Sequence, residues 1–382
     1  MDAVRIRHGA TILGAVAALL LGCGGAPPEV VRPAAGASLS ERVAGIERAI
    51  ESARERLDVP GFGLAIVRDD EVLLARGFGV RDREAALPVT THTLFPIGSI
   101  TKTFTALAAA ISADEGKLAL DDPPRRYLPW FHLNDPEIDA QVTLRDLLSH
   151  RTGLKPVDDE YGWFERLGGG EQLVRAAMAE EFAGAFRESF HYNNAMFVAA
   201  GEAVGAAQGL PWAEVIRSRI LVPLRMSATT LSYEDLARSR ELAVGYGEGS
   251  PRQPLTVQGL AYLDAIPPAG AMASDIEDMT RWLRFFLGDG VLEGRRLVSE
   301  RGLHELETAH VRTNSAEYGL GLSIEPWHGH RRYFHNGGVP GFGSRFEFLP
   351  DERVGFVVLT NVDDQQLPNA VREIVYAALV DE

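Results

Sequence analysis

The sequence is poor in several residue types, and each scarcity excludes a class of chemistry. There is one cysteine, Cys23, in 382 residues. An intrachain disulfide and a cysteine-rich metal site are therefore impossible. Lysine occurs three times, at Lys102, Lys117 and Lys155, against 35 arginines. Positive charge is short overall, with a net charge of −15. A nucleic-acid binder needs a basic face to neutralise phosphates, and nothing in the chain suggests one. No Gly-x-Ser-x-Gly elbow is present, and there are no internal repeats. What remains is ordinary for a globular protein with a substantial core: 46% hydrophobic and 24% charged residues.

The apolar run Ala10–Leu21 is too short to span a bilayer comfortably. Arg5 and Arg7 precede it, and Leu20-Leu21-Gly22-Cys23 ends it. This pattern resembles the bacterial lipoprotein signal, which implies removal of residues 1–22 and lipidation of Cys23. The alternatives are a plain signal peptide and an uncleaved anchor. Residues 23–37, rich in Gly, Pro and Ala, read as a tether. The expectation is a lipoprotein of the cell envelope that touches the membrane only through its lipid.

The stretch Phe95-Pro96-Ile97-Gly98-Ser99-Ile100-Thr101-Lys102 carries a candidate nucleophile and base. Three residues apart at a helix start, Ser99 and Lys102 share one face. A serine hydroxyl is a weak nucleophile until a neighbour takes its proton. A lysine amine can do so if burial or a helix N-terminus disfavours its charged form. Equally open for these residues alone is a serine cap followed by a surface lysine.

Along the chain, Ser38 and Glu41 form a capping-box pattern, and apolar residues recur at helical spacing to Leu57. Gly61–Val67 and Val72–Val80 read as strands, apolar enough to suit a sheet covered on both faces. The Ser99 helix runs to about Glu115, with Gly116 behind it. Helical signals follow near Thr143–Leu148, Glu171–Glu181, Asn194–Ala207 and Pro211–Leu224. Lys155–Gly170 reads as a loop holding Tyr161, Trp163 and Phe164. Strand character returns at Tyr318–Ile324, Arg331–His335, Ser344–Leu349 and Val354–Asn361, before a last helix opened by Pro368. With strands at both ends and helices between, the expected fold is α+β. It is one antiparallel sheet (about 38–105 and 266–382) with a mostly helical insertion (about 106–265).

Two further stretches carry chemistry-bearing residues. Tyr192 and Asn194 form the chain's one Tyr-x-Asn, just before a helix. A phenol near a cation loses its proton more readily, and an amide can orient a substrate carbonyl. A buried tyrosine beside an Asn cap is the other reading. In Tyr333–Gly341 a strand runs into Gly337 and Gly338, whose backbone N–H groups can form an oxyanion hole; a strand that ends in a turn is the other and more ordinary reading. Other candidates fall away. His304 and His310 are six apart, on different helix faces. His328-Gly329-His330 reads as a polar turn. Ser149 and His150 are adjacent and do not face each other.

Taken together, Ser99-x-x-Lys102, Tyr192-x-Asn194 and His335-Asn336-Gly337 occur in one order. With the flanks Leu147-Leu148-Ser149-His150-Arg151-Thr152-Gly153-Leu154 and Gly337–Phe342, they resemble the penicillin-recognising serine hydrolases. Class C β-lactamases, D-Ala-D-Ala carboxypeptidases, D-amino-acid peptidases and related esterases belong to that group. The resemblance covers roughly residues 40–380. It implies a β-lactamase/transpeptidase-like fold over 38–382, a small-molecule or short-peptide substrate, and neither cofactor nor metal. It implies Ser99 as the acylated nucleophile, with Lys102 and Tyr192 sharing the proton transfers. Asn194 would contact the substrate amide, and the N–H groups of Ser99 and Gly338 would form the oxyanion hole.

One departure bears on substrate. β-Lactamases and carboxypeptidases usually carry Lys-Thr-Gly as the third motif, and its lysine helps bind the substrate carboxylate. Here His335 stands in that place. With an unperturbed pKa of about 6.5, histidine would be a weaker or pH-dependent anchor. Members with His here are often peptidases or esterases. The expected activity is therefore hydrolysis of small esters or amides through an acyl-enzyme. The alternatives are a β-lactamase or carboxypeptidase, and an inactive envelope scaffold.

Overall fold

A computed structural model describes residues 36–156, 169–249 and 252–380. The expected leader, most of the expected tether with Cys23, and Tyr161, Trp163 and Phe164 lie outside the described residues. Among the described residues, no helix is long and apolar enough to cross a membrane.

Helix α1 (Leu39–Arg56) starts at the predicted capping box: Ser38 accepts from the Glu41 amide, and Glu41 reaches back to the Ser38 amide at 2.7 Å. The main sheet follows, with strands β1 Gly61–Arg68, β2 Glu71–Asp82, β3 Leu87–Pro88, β4 Val311–Arg312, β5 Glu317–Tyr318, β6 Ser323–Trp327, β7 His330–Val339, β8 Phe342–Leu349 and β9 Val354–Thr360. Their spatial order is β4-β5-β6-β7-β8-β9-β1-β2-β3, antiparallel at every pairing. The sheet is thus built from both ends of the chain, joined where Phe62 to Arg68 pairs with Thr360 to Val354.

Both faces of β1 are buried, as its unbroken apolar run predicts. Phe62, Leu64 and Ile66 join Phe356 and Val358 under α1 and the last helix. On the other face, Ala65 and Val67 join Phe346, Phe348, Val357 and Leu359 in a larger core. Each such large side chain removed from water contributes about 1.5–3 kcal/mol. β2 differs from expectation: it is mostly exposed or half-buried. It lies one strand from the sheet's edge, where the helical layers cover less of it. The run 318–324 also differs. It folds on itself, with Tyr318 opposite Ser323, so two short strands replace one.

The middle of the chain supplies helices α2 Thr101–Asp114, α3 Leu144–Leu148, α4 Gly170–Met178 and α5 Asn194–Gln208. A helix then runs from Trp212 through a π-helical stretch, Arg217–Leu221, to Leu224. Pro211 caps it instead of standing in its first turn. Helix α6 (Ile276–Leu287) covers the sheet, and α7 (Gln366–Leu379) closes the fold. Pro368 sits in the first turn of α7, where its missing N–H costs nothing. Helix α2 is buried on every side from Thr101 to Ser112. Its serine and threonine hydroxyls are hydrogen-bonded, within the helix or to the segment that packs on it. Thr103 donates to Ile100 O, Thr105 to Pro268 O, and Ser112 to Ala108 O. Such a helix can hold its first turn rigidly beside the sheet.

Candidate active site

Ser99 sits in a single 3-10 turn, Gly98–Ile100, that leads into α2. The turn is pinned from two directions. The Ile97 amide donates to Met272 O at 2.9 Å, and the Ser344 hydroxyl on β8 donates to Ile97 O at 2.9 Å. Gly98 has φ +49°, and a side-chain carbon there would lie 2.8 Å from the Gly338 nitrogen. Only glycine fits both the left-handed backbone and that approach. Gly337 is packed as closely: a carbon on it would meet Ile97 O at 2.0 Å. The nucleophile turn therefore rests directly on the glycines of β7.

Lys102 follows one turn later and is fully buried. Its Nζ donates to Ser99 Oγ at 3.0 Å and to Ala269 O at 2.7 Å. Tyr192, just before α5, donates its hydroxyl to Ser99 Oγ at 2.6 Å. Lys102 Nζ also lies 4.7 Å from the centre of the Tyr192 ring. Serine, lysine and tyrosine thus meet at one oxygen, although 93 residues separate Tyr192 from Ser99. A hydroxyl held by two groups that can exchange its proton is suited to nucleophilic attack.

Asn193 caps α5, accepting from the Met196 amide at 3.2 Å, and half-buried Asn194 is the first helical residue. The cap reading of this stretch therefore applies to Asn193.

β7 runs further than the sequence suggests, through Gly337 and Gly338 to Val339. Its partner β6 ends at the Ser323–Phe334 pair, so residues 335–339 have no neighbour from β6. Alternation along the strand sends Asn336 the other way, where Arg345 holds its Oδ1 at 2.7 Å. His335 is buried, with its ring centre 6.5 Å from that of Tyr192. Its Nδ1 lies 2.6 Å from Asn336 O and so carries a proton. Its Nε2 accepts from the Tyr318 hydroxyl at 3.0 Å. Burial, helped by the nearby Lys102 charge, pushes the His335 pKa down to about 3. A pH-dependent anchor at this position is thereby corrected: the imidazole is neutral across the physiological range.

Two residues of the site escaped the sequence reading. Tyr318 is legible only as a strand residue, yet its hydroxyl lies 3.0 Å from His335 Nε2 and supplies its partner once Asn336 O has placed the ring proton on Nδ1. His150 has no facing partner in Ser149, whose hydroxyl bonds Arg145 O. The imidazole instead lies 4.3 Å from the Tyr192 ring, centre to centre. Its burial and the Lys102 charge hold it well below the usual histidine pKa. The only signal for it was its place within Leu147–Leu154. Among the described residues, no group of three or more His, Cys, Asp or Glu is placed to hold a metal. His304 and His310 engage Thr308 and Glu305 O, and His330 faces Glu352.

A serine met by a buried lysine and a tyrosine lies beside the open edge of an antiparallel sheet, in a β-lactamase/transpeptidase-like fold. The Beta-lactamase family profile matches residues 46–380, and the chain belongs to that family. It is 27% identical over 351 residues to "Unguisins hydrolase ungD'" of Aspergillus campestris, covering 87% of this chain and 64% of that one. It is 24% identical over 330 residues to "Protein flp" of Staphylococcus aureus, covering 86% and 65%. The chain thus spans less than two thirds of the length of both relatives. Among solved structures, the octameric penicillin-binding protein homologue from Pyrococcus abyssi superposes with a TM-score of 0.74 at 26% identity, covering 88% of this chain and 76% of that one. A penicillin binding protein from Bacillus halodurans shares the fold, with a TM-score of 0.72 at 23% identity over 85% and 99%.

Proposed function

We propose that the protein hydrolyses small esters or amides, D-amino-acid peptides among the latter, through an acyl-enzyme at Ser99. The observation that carries this reading is the meeting of Tyr192 Oη and Lys102 Nζ at Ser99 Oγ, at 2.6 and 3.0 Å. With one of the Tyr192–Lys102 pair unprotonated, as phenolate or neutral amine, Ser99 Oγ attacks the substrate carbonyl and its proton passes to that group. The tetrahedral oxyanion is held by the backbone N–H groups of Ser99 and Gly338. As the C–O or C–N bond breaks, the pair returns the proton to the leaving group. Water then attacks the acyl-enzyme, gives up a proton to the same pair, and Ser99 Oγ regains it. Asn194 contacts the substrate amide.

Neutral His335 supports esters and amides without a carboxylate beside the acyl group. Its Nε2 is already taken by Tyr318, so it offers no charge to an anion. A β-lactamase or carboxypeptidase is the second reading, favoured by the likeness to the penicillin-binding protein homologue. We also propose that Cys23 is lipidated, which would tether the enzyme to a membrane facing the cell envelope.

The test incubates the enzyme with a p-nitrophenyl ester and, separately, with a chromogenic β-lactam, following product and intact protein mass together. The expected result is ester turnover and a Ser99 adduct, both lost in Ser99→Ala. Undiminished turnover in Ser99→Ala would refute the assignment. Fast β-lactam ring opening would select the second reading.

A further inference from the structure

We infer that His150 is a positioning residue for Tyr192, and that the stretch Asp146–Leu154 is the platform on which the tyrosine is mounted. The inference rests on the reading of Ser99 as the nucleophile. Tyr192 lies on an irregular segment between α4 and α5, without a ladder of its own. His150 grips that segment on both sides of the tyrosine. Its carbonyl accepts from the His191 amide at 2.9 Å, and its Nδ1 accepts from the Asn193 amide at 3.0 Å. Between these two bonds its ring packs on the Tyr192 ring at 4.3 Å. An accepting Nδ1 requires the ring to be neutral with its proton on Nε2. Nε2 has no partner among the described residues, so the ring is held by Nδ1 and by packing.

The backbone of His150 is itself in an uncommon state, with φ +57°. The surroundings over-determine it. Asp146, buried in α3, binds Arg151 at 2.6 Å and Arg187 at 2.9 Å. The Arg187 amide bonds Arg151 O at 2.8 Å, and the Ala183 amide bonds Gly153 O at 2.8 Å. The segment leading to Tyr192 is thus tied at Ala183, Arg187, His191 and Asn193. Phe190, Phe197 and Tyr318 close around the imidazole. Removing the Nδ1 acceptor leaves the buried Asn193 amide unpaired and lets the phenol move off Ser99 Oγ. A displacement near 1 Å at a reacting group costs about 100-fold in rate.

The experiment measures the rate at which a fluorophosphonate phosphonylates Ser99, together with kcat and KM on a p-nitrophenyl ester. His150→Leu is expected to lower the phosphonylation rate and kcat about 100-fold, with KM changed less than about threefold. His150→Asn keeps an oxygen in the place of Nδ1 and tolerates positive φ, so it should stay within about 10-fold of the parent. His150→Gln puts its oxygen one carbon too far and should fall like Leu. This Asn-over-Gln order decides the matter even if His150→Leu does not fold. In a Tyr192→Phe background, adding His150→Gln should change the rate less than about threefold, because the group it positions is gone. Equal rates for Asn and Gln, or a full loss by Gln in the Tyr192→Phe background, would overturn the positioning role. Labelling that persists in Ser99→Ala would overturn the nucleophile reading and this inference with it.

Discussion

Gly98→Ala tests how closely the nucleophile turn depends on the strand beneath it. Gly98 has φ +49°, where a non-glycine residue pays about 1–3 kcal/mol. The added methyl would also lie 2.8 Å from the Gly338 nitrogen, 3.2 Å from its oxygen and 3.3 Å from Gly337 Cα. All three are backbone atoms of a paired strand, so no side chain can swing aside. The turn must lift off β7 by a few tenths of an ångström. That moves the Ser99 amide away from the Gly338 amide, the two donors assigned to the oxyanion. Losing one such donor costs about 10²–10³ in kcat. The expected outcome is a kcat lowered about 100-fold. Thermal melting should fall by about 2–6 °C, taking roughly 2 °C per kcal/mol for a large domain. Ester kinetics and a circular-dichroism melt measure both. A Gly98→Ala enzyme with parental kcat would refute the argument that this contact sets the oxyanion geometry.

Four further outcomes are expected. Ser99→Ala should abolish ester turnover and, by removing the acceptor of the Tyr192 and buried Lys102 hydrogen bonds, lower stability by about 1–3 kcal/mol; a melt measured beside the assay checks both. His335, with a folded pKa near 3 against 6.5 unfolded, binds fewer protons folded than unfolded between those values. Stability from this group therefore rises with pH from about 3 to 6.5, by up to about 1.4 kcal/mol per pH unit, and is level above that. Urea melts of the parent and His335→Asn between pH 4 and 7 should show the parent alone carrying that increment; parallel profiles would contradict it. The ratio of kcat/KM for carboxylate-bearing to neutral esters should stay flat from pH 5 to 8, whereas an inflection near 6.5 would restore a titrating anchor. Expressed from Met1 in bacteria, the chain should incorporate labelled palmitate if Cys23 is lipidated as proposed, and Cys23→Ser should not.

Much of the architecture is written in local pattern. The box at Ser38 and Glu41 and the one at Thr143 and Asp146 both form as their spacing requires, because capping involves only neighbours in the chain. The apolar run of β1 states burial on two faces. β2 has nearly as apolar a run and is left mostly uncovered, since its coverage depends on its distance from the sheet's edge, which periodicity does not encode. Gly319–Leu322 turns the chain back on itself within an apolar run, so one expected strand becomes two.

The candidate site divides along the same line. Sequence alone offered the Ser99–Lys102 pair, because three residues at a helix start place two side chains on one face, and burial of Lys102 decided it against a surface lysine. Linear order also singled out Tyr192 and the glycines of β7, through a resemblance that spans the three motifs. Tertiary structure alone decided that Tyr192 reaches Ser99 Oγ, that Gly98 seats on Gly338, and that His335 is neutral. It alone turned His150 from a histidine without a partner in the sequence into a clamp on the segment that carries Tyr192. The physical reason is that charge state and reach depend on burial and on partners far along the chain. A ring's pKa follows from what excludes water around it, and no run of neighbouring letters states that.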